Sequence, residues 1–227
     1  MAQFEHLRPS STTGMIKLAD VGRIADNLKR GAMAVLPTET GYMLAALATS
    51  IPAIEQVFTA KGRAAANVMH VACGSLKMAG AVGELTQPAL RLLGELTPGP
   101  ITVVVNKTPL LPDDLVTLNG TVGIRVPDHP ATLQVINEVG APLTATSLNV
   151  TGAGSTSIGK LDMQFMQWPE NEIVYVLEDD DRIMFDQPST LVRVSGEAIE
   201  VLRKGPISES EVRRVATLAG QPQAPSR

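Results

Sequence analysis

The sequence predicts a single α/β domain built on a largely mixed β-sheet with helices against it. Short apolar runs alternate with amphipathic stretches of helical spacing, and no repeat period relates them, which excludes solenoids and simple bundles. The 227 residues, 44% hydrophobic and 19% charged, suffice for one domain with a substantial core and no covalent staples. The folded region is expected over residues 14–217. Residues 1–13 and 218–227 carry no apolar period and are expected to be mobile ends.

Leu18, Val21, Ile24, Ala25 and Leu28 recur at helical spacing before Gly31, which suits a left-handed helix end, so a helix is expected over 17–30. The apolar run 33–36, stopped by Pro37, reads as a buried strand entering a loop, with a second strand over 44–48. Pro52 suits the first turn of a helix, where its missing N–H costs nothing, and Ile54, Val57 and Phe58 supply one apolar face up to about Lys61. Residues 68–73 read as a strand, 88–96 as a helix stopped by Pro98-Gly99-Pro100, and 101–105 as a strand. A strand over 121–126, a helix over 130–139 before Gly140 and a short strand over 143–146 continue the alternation. The runs 173–177, 190–194 and 199–202 form a late set of strands, the last two joined by Ser195-Gly196-Glu197 as a hairpin. Ser208 and Glu211 make a capping-box pattern for a final helix.

Composition excludes several classes of function. The lone Cys73 cannot form an intrachain disulfide or a multi-cysteine metal cluster; it fits a reducing compartment and reads as a small buried hydrophobe. His6, His70 and His129 show no i, i+4 pair of a helical zinc site, so any metal is expected to arrive with a substrate. The N-terminus lacks a basic segment followed by an apolar one, and no stretch approaches about 18 uninterrupted apolar residues; a soluble, cytoplasmic protein without a membrane partner is expected. A net charge of −4 weighs against broad nonspecific nucleic-acid binding.

Three patterns are set aside. The stretch from Gly154 to Lys160 nearly spells a Walker phosphate loop, but Leu161 stands where a Ser or Thr must hold magnesium, so a flexible loop is the better account. Ser157 and Lys160 match Ser-x-x-Lys without its companion motifs, and the run 178–181 reads as a solvated acidic loop rather than a metal site. His70 reads as a half-buried strand residue, with a catalytic role as the lesser alternative, and His129 as the start of a helix.

The remaining polar residues stand at loops and strand ends, where sites are usually carried by a rigid scaffold. They include Thr38, Thr40 and Tyr42 after the first strand, Lys61 and Arg63 after a helix, Thr102 at a strand start, Arg125, Ser147 and Asn149, Ser189, and Arg203. Arg125 lies in an apolar strand, and burying it unpaired is expensive; it faces a cleft or an anionic ligand, or it pairs internally with Glu39 or Asp128. Cations accompanied by hydroxyls, in an acidic protein without an evident catalytic histidine, suit phosphates and a carboxylate.

Taken in order, Pro37-Thr38-Glu39-Thr40-x-Tyr42, Lys61-x-Arg63, Pro98-Gly99-Pro100-Ile101-Thr102, Arg125-Val126-Pro127-Asp128-His129-Pro130, Ser147-x-Asn149, Pro188-Ser189-Thr190 and Leu202-Arg203-x-Gly205 resemble the YrdC-like threonylcarbamoyl-adenylate synthases, over residues 21–207. The resemblance implies a single YrdC-like domain, a twisted sheet around a concave, cationic cavity. It implies a nucleotidyltransferase that condenses L-threonine, bicarbonate or carbon dioxide, and ATP to threonylcarbamoyl-AMP and pyrophosphate, for threonylcarbamoyladenosine in tRNA. It places Thr38, Thr40, Tyr42, Arg125 and Ala145 at the threonine, and Lys61, Arg63, Asn67, Thr102, Ser147, Asn149, Ser189 and Arg203 at the nucleotide, with Lys61 and Arg63 catalytic. Mg2+ would be carried by ATP, and tRNA or tRNA-modification proteins are implied partners.

The chain departs from that pattern near the cavity. Met43 stands where the family usually has glycine, Leu148 where it has alanine, Ala64 replaces a proline, Val68-Met69 replaces Pro-Leu, and Ala72 replaces a histidine, with His70 two positions earlier on the same strand face. Gly41-Tyr42 together with Ser147-Leu148 resemble the YciO-like branch, and the changes around the acceptor pocket keep two alternatives open. One is a relative using another acceptor or a carbamoyl transfer; the other is a nucleotide- or RNA-binding module without catalysis.

Overall fold

The computed structural model describes residues 2–61, 69–112, 119–148, 168 and 173–217. Along the chain these form β1 (Gln3–Leu7), α1 (Leu18–Lys29), β2 (Ala34–Thr38), β3 (Gly41–Ala45), α2 (Ile51–Ala60), β4 (His70–Ala72), α3 (Leu76–Val82) and α4 (Gln87–Leu96). There follow β5 (Ile101–Asn106), β6 (Thr121–Arg125), α5 (Pro130–Val139), β7 (Leu143–Ser147), β8 (Ile173–Leu177), β9 (Thr190–Ser195), β10 (Ala198–Arg203) and α6 (Glu209–Thr217). One sheet takes all the strands, in the order β1-β8-β2-β3-β7-β4-β6-β5-β9-β10. It is mixed: β8 runs parallel to β1 and β2, β4 to β6, and β5 to β9, while the other neighbours are antiparallel.

Strand alternation decides the layers. Ala34, Leu36, Met43, Ala45, Tyr175 and Leu177 face one apolar cluster with Ile24 and Leu28 of α1 and Val135 and Ile136 of α5. Their strand neighbours Val35, Leu44, Val174 and Val176 face the other, with Ile54 and Val57 of α2, Leu92 and Leu93 of α4, and Val212 and Val215 of α6. The strands β2, β3 and β8 are thus buried on both faces, which explains why they read as continuous apolar runs, whereas β9 and β10 leave one face exposed.

The structure corrects three readings. Residues 3–7, expected to be mobile, form β1, which pairs in parallel with the whole of β8. Pro37 does not end its strand: β2 continues to Thr38 and pairs with β3 from Gly41, so the motif read as a loop is a hairpin with Glu39-Thr40 as its two-residue turn. The register with β8 stops at Val35, so Pro37 sits beyond it, paired only to Tyr42 of β3. A helix not foreseen, α3, starts where the Ser75 hydroxyl accepts the Met78 N–H at 3.2 Å.

Helix ends follow the local signals. Gly140 closes α5 at φ 71°, a left-handed position that glycine adopts without steric cost. Before α6, the Ser208 hydroxyl accepts the Glu211 N–H at 3.2 Å; the Glu211 carboxylate turns to Arg214 instead of reaching back, so half of the expected capping box forms. Among the described residues no helix is long and apolar enough to cross a membrane.

Cys73 is fully buried, and desolvation pushes its thiol up from 9.0 to about 12. The native thiol therefore keeps its proton where the unfolded one loses it, and stability contributed by this group falls as pH rises above about 9. Native protein at pH 8 is expected to resist a disulfide-exchange reagent, with full labelling of one thiol only in denaturant; rapid native labelling would contradict the burial.

Candidate active site

The Glu39-Thr40 turn opens a cavity of about 180 Å³ at the ends of the central strands. Its wall takes Thr38, Thr40, Gly41, Tyr42 and Met43 from the hairpin, Met69 and His70 at the start of β4, Arg125 at the end of β6, and Ala145, Thr146 and Ser147 from β7. Pro188, Ser189 and Arg203 complete it. Gly41 adopts φ 107°, which lets the chain reverse within two residues; the Thr38 hydroxyl donates to the Gly41 carbonyl at 2.7 Å and accepts the Thr40 N–H at 3.2 Å.

The electrostatic centre is an ion pair. Arg125 Nη2 lies 2.6 Å from Glu39 Oε1 and donates to the Thr40 hydroxyl at 3.1 Å, while Glu39 Oε2 accepts the Asp128 N–H at 2.8 Å. Glu39 is wholly buried, so each oxygen needs the partner it has. The internal pair and the cleft-facing arginine, posed above as alternatives, are both present. Arg125 lines the cavity, while its Nε is buried with no hydrogen-bond partner among the described residues.

Arg203 faces the same cavity. Its Nε and Nη2 donate to the Ser189 carbonyl at 3.1 and 3.0 Å, fixing the guanidinium against the start of β9. Burial first, and then the Arg125 charge, lowers its basicity below the ordinary arginine value. Two like charges held on one wall favour an anion between them. The Ser189 hydroxyl sits 2.8 Å from that of Thr102, which is fully buried and stands behind the wall rather than on it.

Lys61 caps α2 and is also nearly buried; its Nζ donates to the Thr146 hydroxyl at 3.0 Å and to the Ser147 carbonyl. It thus ties the helix end to the β7 residues of the cavity wall. Tyr42 turns its phenol oxygen to the Asp179 N–H at 2.8 Å, and burial is the main reason its acidity is weakened.

The structure therefore gathers Thr38, Thr40, Tyr42, Arg125, Ala145, Ser147, Ser189 and Arg203 around one cavity, with Lys61 and Thr102 one contact behind it. Arg63, Asn67 and Asn149 lie outside the described residues. Glu39 entered the sequence reading only as an internal partner for Arg125, and Thr146, Met69 and Pro188 were not singled out as site residues. The run 178–181 is not simply solvated: the Asp180 side chain is 6% exposed and lies beside the fully buried His129.

The fold and this cavity define an α/β protein with a polar ligand site at the ends of its central strands. The family model Sua5_yciO_yrdC, with the description Telomere recombination, matches residues 26–205, and the chain belongs to this family. A Mycobacterium tuberculosis relative is 31% identical over 189 residues, 83% of this chain and 85% of its own. The Mus musculus threonylcarbamoyl-AMP synthase is 35% identical over 147 residues, 65% of this chain and 51% of its own, so the chain spans about half of that relative. The crystal structure of P. abyssi Sua5 complexed with L-threonine superposes with a TM-score of 0.77 at 24% identity, covering 93% of this chain and 60% of that one, a likeness of fold.

Glu39→Ala leaves Arg125 buried without its carboxylate, and urea unfolding is expected to show a loss of about 3–5 kcal/mol. Glu200→Ala breaks an exposed pair with Arg193 and is expected to cost less than about 1 kcal/mol in the same assay. Equal losses would contradict the central role given to Glu39.

Proposed function

We propose that the chain is a threonylcarbamoyl-AMP synthase of the nucleotidyltransferase type, acting on L-threonine, bicarbonate or carbon dioxide, and ATP. The observation that carries this reading is Arg125: a guanidinium oriented by Glu39 on the wall of a small cavity that a second arginine, Arg203, also lines. That arrangement suits a charge-assisted hold on an amino-acid carboxylate, and the hairpin hydroxyls of Thr38 and Thr40 suit its polar side. Kinship with named synthases supports the reading.

In this mechanism the threonine amine takes up carbon dioxide to form a carbamate, releasing a proton. A carbamate oxygen attacks the α-phosphorus of ATP, forming the P–O bond of threonylcarbamoyl-AMP as the bond to pyrophosphate breaks. No covalent enzyme intermediate is required. Lys61 and Arg63 neutralise charge growing on the phosphates, while Asn67, Thr102, Ser147, Asn149, Ser189 and Arg203 surround or brace the nucleotide. ATP would arrive as its magnesium complex, in which the ion would supply charge neutralisation on the phosphates. A cavity of about 180 Å³ is of amino-acid size, so the nucleotide extends beyond it. The product serves tRNA threonylcarbamoyladenosine synthesis, in the cytoplasm.

A second reading, an acceptor other than threonine, rests on Met43, whose buried side chain lines the cavity. Pyrophosphate release from Mg-ATP and bicarbonate, with and without threonine and with mass analysis of the products, separates the two. Threonine-dependent release with threonylcarbamoyl-AMP is the expected result; ATP binding without threonine dependence would overturn it and favour the second reading. Arg125→Lys, which keeps the charge but loses the fork, is expected to raise the threonine KM at least about tenfold with little change for ATP, the loss of one charge-assisted bond.

A further inference from the structure

Behind the cavity, His129 at the start of α5 meets the segment that follows β8. His129 is fully buried, its Nε2 stands 3.6 Å from Asp179 Oδ1 and 3.5 Å from Asp180 Oδ1, and the Asp180 side chain is 6% exposed. Among the described residues, neither ring nitrogen nor Asp180 Oδ1 finds a hydrogen-bond partner. Buried polar atoms are rarely left so, and two of them, His129 Nε2 and Asp180 Oδ1, face each other across 3.5 Å and call for a shared ligand.

We propose that His129 Nε2, Asp179 Oδ1 and Asp180 Oδ1 form a structural site for a divalent first-row transition ion, zinc above all. The spacing fits. Ligands bonded at about 2.1 Å in tetrahedral array stand about 3.4 Å apart, close to the two measured edges, and each of the three residues offers a ligand atom within 4.8 Å of the others'. One imidazole with two carboxylates suits zinc and its neighbours better than magnesium or calcium, which prefer oxygen throughout.

The carboxylates are already oriented. Asp179 accepts the Arg182 N–H at 3.0 Å on Oδ1 and the Ile183 N–H at 3.4 Å on Oδ2, and Asp180 Oδ2 is held by Arg182 Nε at 2.9 Å, which turns Oδ1 toward the imidazole. Burial lowers the His129 pKa against the pull of Asp180 and Asp179. An ion satisfies Nε2 and Asp180 Oδ1 together.

Its place suggests what it does. The Asp179 N–H holds the Tyr42 phenol, the Met184 and Phe185 N–H groups both hold the Glu39 carbonyl at 3.0 Å, and the Asp128 N–H holds the Glu39 carboxylate. The ion would therefore lock residues 179–185 onto α5 and brace the Glu39–Arg125 pair from behind. This role does not depend on which acceptor the cavity receives.

The test uses the full chain stripped with EDTA and titrated, without nucleotide, with ZnCl2, MnCl2 or MgCl2 by calorimetry, with metal per chain determined by mass spectrometry. About one zinc per chain is expected, binding at least about a hundredfold tighter than magnesium, with an unfolding midpoint raised by about 5 °C at a hundredfold excess over Kd. Asp180→Asn keeps the side-chain shape, and with His129→Gln it is expected to weaken zinc at least about thirtyfold and remove the midpoint shift; Asp181→Asn, on an exposed neighbour, is expected to leave both unchanged. Absence of zinc binding tighter than about 100 μM, or unchanged affinity in a folded Asp180→Asn protein, would overturn the site and leave a buried imidazole–carboxylate contact in its place.

Discussion

The pair between Arg125 and Glu39 organises the centre of this molecule. A fully buried carboxylate is tolerated only when every oxygen is engaged, and Glu39 spends one on Arg125 and the other on the Asp128 N–H. Its carbonyl takes two further N–H groups from residues 184 and 185. One residue in a two-residue turn thereby joins the β2–β3 hairpin, the end of β6, the entry to α5 and the segment after β8. Replacing the pair by apolar side chains could preserve the fold, but it would remove the charge that the cavity presents to a ligand.

The cavity follows from how strands of different order meet. β6 delivers Arg125, β7 delivers Ala145 to Ser147, and the hairpin delivers Thr38 to Met43, because β3 and β7 are neighbours and β4 separates β7 from β6. Arg203 arrives from the far end of β10 and is anchored on Ser189, while Lys61 closes from the end of α2 onto β7. The polar groups are thus held by backbone carbonyls and hydroxyls of rigid strands before any ligand enters, the preorganisation that electrostatic stabilisation needs.

Much of this was legible in the chain. Apolar runs and helix-ending glycines located most elements to within a residue or two, since strand burial and helix amphipathicity are properties of short windows. The amphipathic α1 and α5 are examples, as is the late β9–β10 hairpin. The motifs also named most of the cavity wall. Less legible were β1, whose exposed, polar alternation makes sense only beside β8, and β2, whose passage through Pro37 depends on the partner strand.

By itself, then, the sequence determined the α/β class, the order of elements and the set of cations and hydroxyls available for an anionic ligand, because local periodicity and residue chemistry are written in adjacent positions. Only the tertiary structure decided that Arg125 both pairs with Glu39 and lines the cavity, that Thr102 supports rather than touches it, and that His129 meets Asp179 and Asp180. Those facts join residues far apart in the chain, and burial and distance come into being only when the sheet brings them together.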